Sequence, residues 1–320
     1  MGGRLAASCD LTLIGRHSVL DPIAELGLTL GRSGQPARTV PPSVLILATE
    51  PERATGADVL LVTVKSHDTE SSARAVARHL DPTAVVISLQ NGLHNVARLR
   101  GILANPVLAA MVPYNVVQTA PATFLQATSG ELVIGAAAAG APFAKAAAAA
   151  GIPLETRKDM VAVQHAKLLM NLNNAVNALS GLPLRDQLAD RDYRRVLALC
   201  QEEALAVFAA SGVVPARITP LPPVAMVRIL RAPDSIFTTV ARTALKVHPD
   251  ARSSMADDLV RGRRTEIDEL QGAVVELGHQ HDIPTPVCYR IAALVRAAEQ
   301  DGPDDLTSWT GAELLAAVTG

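Results

Sequence analysis

Cysteine is scarce in this 320-residue chain: Cys9, Cys200 and Cys288 are scattered and share no metal-type spacing. That argues against a disulfide framework or a zinc site and points to free, buried thiols in a reducing compartment. Long apolar runs are absent. The nearest candidate, 136–154, is mostly alanine and is broken by Gly140, Pro142 and Lys145, short of the roughly 18 uninterrupted apolar residues a bilayer span needs. No apolar core of a secretory signal stands at the N-terminus. A net charge of −2 gives no broad basic field for nucleic acid. The histidines do not cluster; His279 and His281 alternate near a helix end but lack a third ligand, so no metal is expected. No serine or cysteine nucleophile motif is present. These absences predict a soluble, cytoplasmic protein with neither a nucleic-acid nor a membrane partner. Lysine is scarce too. Only five of the 29 basic residues are lysine: Lys65, Lys145, Lys158, Lys167 and Lys246. A chain that uses arginine wherever any cation serves gives each lysine more weight as lysine-specific chemistry.

What is there is a chain with 49% hydrophobic and 19% charged residues, long enough for two globular domains. The first half alternates short apolar runs with helical stretches. Strands are predicted at 10–14, 28–30, 43–47, 58–64, 84–89, 107–112, 123–126 and 131–134. Helices are predicted at 18–26, with Ser18 as N-cap, and at 69–80, 94–102 and 136–150, the last on the surface. The runs DVLLVTV and AVVISL are nearly continuous and β-branched, which requires a parallel sheet covered on both faces. From 159 onward the pattern is helical, at 160–179, 191–210, 223–230, 255–277, 286–300 and 305–318. The domain boundary is set at 157, giving domains 1–157 and 158–320.

On the helix at 160–179, Val161, His165, Leu168, Leu172, Ala175, Val176 and Leu179 form an apolar stripe, and Gln164, Lys167, Asn171 and Asn174 share a second face. One lysine among amides suits a polar cavity for a small oxyanion; an ordinary wet face is the other reading. In the stretch 255–277, Glu266 stands in register with Met255, Leu259, Gly262, Leu270, Val274 and Leu277. A carboxylate set in an apolar seam needs a partner, either a lysine, a substrate hydroxyl, or Arg263 or Arg252 at the edge. Ser253, Ser254 and Asp257 resemble a cap, and such a helix start can hold a carboxylate. Lys65 and Asn91 follow buried strands, where open α/β sheets bind ligands, although a loop lysine and an Asn-Gly turn account for them equally. Arg16 also follows a strand, and an arginine there either accommodates the 2′-phosphate of NADP or is a solvated loop residue.

The stretches GGRLAASCDLTLIGR, DVLLVTVKS, SLQNG, HAKLLMNLNN, SSMADDLVRGRRTEIDELQG and IPTPV together resemble the ketopantoate reductase (2-dehydropantoate 2-reductase) family over essentially the whole chain. The resemblance implies an NADPH-binding Rossmann domain followed by an all-helical C-terminal domain, with the active site between them. It implies NADPH-dependent reduction of 2-dehydropantoate to pantoate, in pantothenate biosynthesis, by a monomer or homodimer. A related NADPH-dependent 2-keto acid reductase stays open. Carried over residue by residue, Lys167 matches the general acid and Glu266 the group that holds the substrate hydroxyl. Asn171, Asn174 and Ser254 match substrate contacts, and Lys65, Asn91 and Arg16 match cofactor contacts. The sequence departs from the family pattern at His165 (tryptophan in many relatives), Gln271 and Cys288 (both asparagine). Asn173 competes with Asn174 as the further amide. Most notably, Met1 directly precedes Gly2-Gly3-Arg4-Leu5, so the first strand and the G-x-G-x-x-G loop of the family are missing here. That predicts either a start upstream of Met1 or a non-catalytic chain that no longer holds the cofactor.

Overall fold

Strands made of unbroken β-branched and leucine side chains cannot sit half in water; they need apolar cover on both faces. The first unit of the chain, Met1–Met160, is built on two such runs. The computed structural model describes residues 1–32, 34–240 and 251–320; Lys246 lies outside the described residues. In chain order the strands are β1 (Thr12–Ile14), β2 (Leu28–Arg32), β3 (Gln35–Val40), β4 (Ile46–Ala48), β5 (Val59–Val62), β6 (Val85–Ser88), β7 (Val107–Met111), β8 (Val116–Ala120), β9 (Thr123–Gln126), β10 (Leu132–Gly135) and β11 (Leu154–Arg157). The helices of this unit are α1 (Gly2–Leu5), α2 (His17–Leu26), α3 (Thr69–Val76), α4 (Asn95–Arg100) and α5 (Ala141–Ala149).

The main sheet runs β11-β10-β7-β6-β5. β5, β6 and β7 are mutually parallel, β10 is antiparallel to β7, and β11 is parallel to β10. β6 is buried throughout, and its side chains alternate between two cores, as the two-residue period of a strand dictates. Val85 and Ile87 pack with Leu132, Ile134 and Phe143 on one face. Val86 packs with Val62, Leu99 and Val107 on the other. α5 covers the first face through Phe143 and Ala147, and α3 and α4 cover the second through Ala73 and Leu99. β1 and β4 form a separate parallel pair. Among the described residues no strand joins β1 to β5.

Several expectations are corrected. The parallel sheet contains an antiparallel pair, and a second sheet, β3-β2-β9-β8, stands beside it. Ser18 is not the N-cap of α2; that position is Arg16, with no side-chain cap. The stretch 136–150 is not one surface helix. A 3-10 turn at Ala138–Gly140 leads into α5, whose Phe143 and Ala147 are buried. Pro142 falls in the first turn of α5, where a missing N–H costs nothing. Cys9 is exposed, whereas Cys200 and Cys288 are buried.

The second unit, Val161–Gly320, is helical in its described residues. Its helices are α6 (Met160–Asn171, begun at the last residue of the first unit), α7 (Asn173–Ser180), α8 (Leu184–Ala189), α9 (Arg191–Ala210), α10 (Pro223–Arg231), α11 (Asp234–Val240), α12 (Ser254–Val260), α13 (Gln271–Gln280), α14 (Pro286–Asp301) and α15 (Gly311–Thr319). The twenty-residue α9 is the spine, packing against α7, α8, α10, α13, α14 and α15. Its start is capped by Asp190, whose carboxylate accepts the Asp192 N–H at 2.7 Å.

Arg194 on α9 is fully buried. Its guanidinium donates to the carbonyls of Leu188, Ala189, Leu230 and Ala232 and to Asp234 Oδ1 at 2.6 Å, and it lies 4.1 Å over the Phe237 ring. One side chain thereby satisfies the carbonyl ends of both α8 and α10, groups a helix cannot satisfy itself. No described helix is long and apolar enough to cross a membrane.

Three predicted helices are broken. The stretch 160–179 divides at Leu172, whose carbonyl accepts Gln271 Nε2 at 2.8 Å. The stretch 255–277 breaks at Gly262, whose φ of +59° favours glycine and ends a helix. A 3-10 turn at Ile267–Glu269 then precedes α13. The stretch 305–318 becomes a 3-10 turn at Pro303–Asp305 and a separate α15, started by a Thr310–Glu313 capping box.

Candidate functional site

α6 and α7 carry the amide-rich face. The apolar stripe is confirmed from His165 to Leu179, all buried; Val161, at its start, is 57% exposed and does not belong to it. His165 stacks edge-on against Phe208 at 4.6 Å, and its Nδ1 lies 2.7 Å from the Val161 carbonyl, so this position serves the core. Asn171 is buried, and Gln164, Lys167 and Asn174 are half-buried, so the face is partly shielded from water. Burial alone pushes the Lys167 ammonium below the usual lysine range. No hydrogen bond or ion pair reaches its Nζ among the described residues.

The three amides that follow differ in how far they are already used. Asn177 is fully buried and committed: Nδ2 donates to the Leu182 carbonyl at 2.9 Å, and Oδ1 accepts the Ser253 N–H at 2.8 Å. Asn173 donates to Gln187 Oε1 at 3.2 Å. The Asn174 side chain makes no hydrogen bond among the described residues; only its carbonyl is used, by Ser253 Oγ at 3.0 Å.

α12 starts one residue earlier than predicted, at Ser254, and of the two serines Ser253 is the N-cap, its Oγ accepting the Ala256 N–H. Ser254 is the first helical residue and is exposed. Ser253 and Asn177 form a clasp between α12 and α7 that sequence reasoning missed. The signal was present: Asn177 continues the spacing of Asn171 and Asn174 by one more step.

Glu266 is not part of a continuous helical stripe, because the chain unwinds at Gly262. It is half-buried between Thr265 and Ile267, both buried, and leads into the 3-10 turn. That short segment is fixed from both sides: Thr265 N–H donates to Glu299 at 2.7 Å, and Thr265 Oγ1 accepts the Ile267 N–H. Gln271, four residues beyond Ile267, is fully buried and donates to the Leu172 carbonyl. The Glu266 segment is thereby tied to the junction of α6 and α7, which carry Lys167, Asn171 and Asn174.

In the first unit, Lys65 and Asn91 stand at the carboxyl ends of β5 and β6, which are hydrogen-bonded neighbours. Lys65 precedes the 3-10 turn Ser66–Asp68 and is half-buried. Asn91 enters a turn completed by Gly92 at φ +87°. Arg16 is exposed at the start of α2, after β1. These residues line the carboxyl edges of parallel strands, where βα folds bind ligands. Among the described residues no group of three His, Cys, Asp or Glu side chains could hold a metal ion.

Comparisons with known proteins cover both units. Residues 1–139 match the family described as "Ketopantoate reductase PanE/ApbA", and residues 159–299 match "Ketopantoate reductase PanE/ApbA C terminal". A 2-dehydropantoate 2-reductase of Halobacterium salinarum is 35% identical over 311 residues, spanning 94% of this chain and 95% of its own. That of Caulobacter vibrioides is 30% identical over 253 residues, 79% of this chain and 81% of its own. A crystal structure of a PanE/ApbA family ketopantoate reductase from Ralstonia eutropha superposes with a TM-score of 0.80 at 34% identity, covering 94% of each chain. D-mandelate dehydrogenase, solved with NADH and anilino(oxo)acetate, shares the fold at a TM-score of 0.77 and 18% identity over 94% of each chain. Matched in sequence in both units and in structure along nearly its full length, the chain belongs to the ketopantoate reductase family of oxidoreductases.

Proposed function

We propose that the chain reduces 2-dehydropantoate to pantoate with NADPH, a step of pantothenate biosynthesis, as a cytoplasmic monomer or homodimer. The observation that carries this reading is Lys167, a shielded ammonium on an amide-lined face, held by no other side chain among the described residues. In this reading Lys167 donates a proton to the ketone oxygen as it becomes a hydroxyl. A lowered pKa makes the ammonium a better acid near neutral pH. Glu266 accepts the hydrogen bond of the new hydroxyl. Asn171, Asn174 and Ser254 hold the polar groups of the substrate, and the uncommitted Asn174 side chain favours it over Asn173. The donor set of the first unit suits a dinucleotide with a 2′-phosphate: an exposed guanidinium at Arg16 and polar loops at Lys65 and Asn91. When bound, such a cofactor supplies the hydride.

The test is turnover of NADPH by the full chain with 2-dehydropantoate, the product identified by mass spectrometry, with NADH and other bulky 2-keto acids in parallel. Preference for NADPH and 2-dehydropantoate supports the reading; faster turnover of another keto acid replaces the substrate and keeps the chemistry. A chain that binds keto acid without dinucleotide is the competing reading. A fluorescence titration with NADPH separates the two.

A further inference from the structure

The carboxyl edge of β5 and β6 holds a knot of buried polar side chains where an α/β core would ordinarily place leucine or valine. Ser66, Thr69, Ser88 and Asn95 are each at most 3% exposed. Their hydrogen bonds form one directed chain. Ser88 Oγ donates to Gln90 Oε1 at 3.1 Å. Gln90 Nε2 donates to the Val64 carbonyl at 3.0 Å and to Thr69 Oγ1 at 2.7 Å. Thr69 Oγ1 donates to Asn95 Oδ1 at 2.8 Å. Asn95 Nδ2 donates to Ser66 Oγ at 2.9 Å and to the Asn91 carbonyl at 2.6 Å. Two backbone carbonyls fix the sense of both amides, because a carbonyl can only accept. No donor in the chain is wasted, and a fully satisfied buried network stiffens what it joins.

What it joins are the two loops that follow β5 and β6. On one side it grips Val64 and Ser66, the residues flanking Lys65; on the other it grips the Asn91 backbone itself. Gln90 and Asn95 bracket Asn91 in sequence, and Thr69 opens α3 immediately after the Lys65 turn. The network holds the backbone on both sides of Lys65 and the backbone of Asn91. An apolar cluster would have covered the same area without setting the register of the two loops.

We propose that Asn95, working with Thr69 and Gln90, is a positioning residue: it locks the β5 and β6 loops in one register so that Lys65 and Asn91 meet the dinucleotide together. The assignment rests on the function proposed above, since it takes Lys65 and Asn91 as cofactor contacts. Asn95 touches no ligand itself and acts through the Asn91 carbonyl and Ser66.

The test is a fluorescence titration of NADPH on the wild-type chain and on Asn95→Leu, Asn95→Asp and Thr69→Val, with thermal unfolding of each measured in parallel. Asn95→Leu keeps the volume and removes every bond. Thr69→Val keeps the shape and removes one bridging hydroxyl, so it covers the case in which Asn95→Leu does not fold. In Asn95→Asp a carboxylate oxygen replaces the donor to the Asn91 carbonyl, while the Arg98 guanidinium, 3.4 Å from Asn95 Oδ1 in the wild type, still faces the side chain. The expected result is a rise of about tenfold or more in Kd for Asn95→Leu and a smaller rise for Thr69→Val, with kcat at saturating cofactor kept within about twofold. Asn95→Asp keeps the acceptor toward Thr69 and Arg98 and loses the donors to Ser66 and the Asn91 carbonyl, so its Kd is expected to rise as well. Unchanged Kd in folded Asn95→Leu or Thr69→Val, beside a wild type that binds, overturns this inference alone. A folded wild type that binds no dinucleotide overturns the proposed function and this inference together.

Discussion

Two shielded cations in the second unit, Arg194 fully and Lys167 partly buried, have opposite surroundings. Arg194 lies inside a cage of four carbonyls, a carboxylate and an aromatic face. Lys167 is shielded from water yet donates no hydrogen bond and forms no ion pair among the described residues. A buried charge costs free energy unless it is paired. The first residue offsets that cost with its own contacts, and its guanidinium has no capacity left for a ligand. The second leaves the cost standing, which is a liability for stability and, in the function proposed above, an asset for proton transfer. In that proposal the satisfaction of the shielded group, rather than its burial, separates the structural cation from the functional one.

The largest effect that can sharpen this contrast is on rate. Lys167→Met is expected to slow reduction by about 10²- to 10⁴-fold, the usual worth of a positioned acid, while stability does not fall, because a desolvated charge is removed; turnover and urea unfolding of the same sample check both halves. Arg194→Met is expected to do the reverse, destabilising the chain by about 3–5 kcal/mol as the Leu188, Ala189, Leu230 and Ala232 carbonyls lose their donor. Turnover per folded molecule should stay unchanged. If Arg194→Met cuts turnover of folded protein, or Lys167→Met unfolds it, the contrast breaks.

Next in size is Asn177→Ala. It strips the partners from the Ser253 N–H and the Leu182 carbonyl, and a loss of about 1–3 kcal/mol is expected in denaturant unfolding. The pH dependence of Lys167 gives a smaller but diagnostic effect. Its folded pKa lies below its unfolded one, so above the unfolded value it is neutral in both states and imposes no penalty. As pH falls from that value toward the folded pKa, the unfolded chain takes up the proton first and stability drops. Wild type should therefore gain on Lys167→Met as pH rises across that window. The rate should lose its acid limb at a lower pH than an exposed lysine near 10.4 would give. Smallest of all is Gln271→Leu. It removes the donor to the Leu172 carbonyl, but it also removes the buried Oε1, which has no partner among the described residues. The two terms oppose each other, so a change under about 1 kcal/mol is expected, and any loss of activity would then report on the junction of α6 and α7.

How much of this was legible in the sequence follows from which interactions set each feature. β5, β6 and α9 were readable because burial on both faces, or along one long stripe, writes itself into an unbroken pattern. The sheet β3-β2-β9-β8 was not, because β3 and β8 are mostly exposed and carry no alternation. The break at Gly262 was hidden for a different reason: the apolar positions on either side happened to keep helical spacing across a residue that adopts positive φ. The partial shielding of the Lys167 face was legible from its composition, one lysine among amides. Arg194 was not, since its acceptors are main-chain carbonyls that no side-chain pattern announces. The polar knot around Asn95 was half legible; Gln90-Asn91-Gly92 read as a turn, but the buried use of Asn95 depends on a loop 26 to 29 residues away in sequence.

The clasp between α7 and α12 makes one backbone amide a natural probe. The Ser253 N–H sits at a helix cap, outside the helical ladder, where amides ordinarily exchange with solvent deuterons within moments. Here it is held at 2.8 Å by the side chain of fully buried Asn177. Its hydrogen can be exchanged only when the two helices let go of each other, so its protection factor reads the opening of that joint directly, without a label and without a ligand.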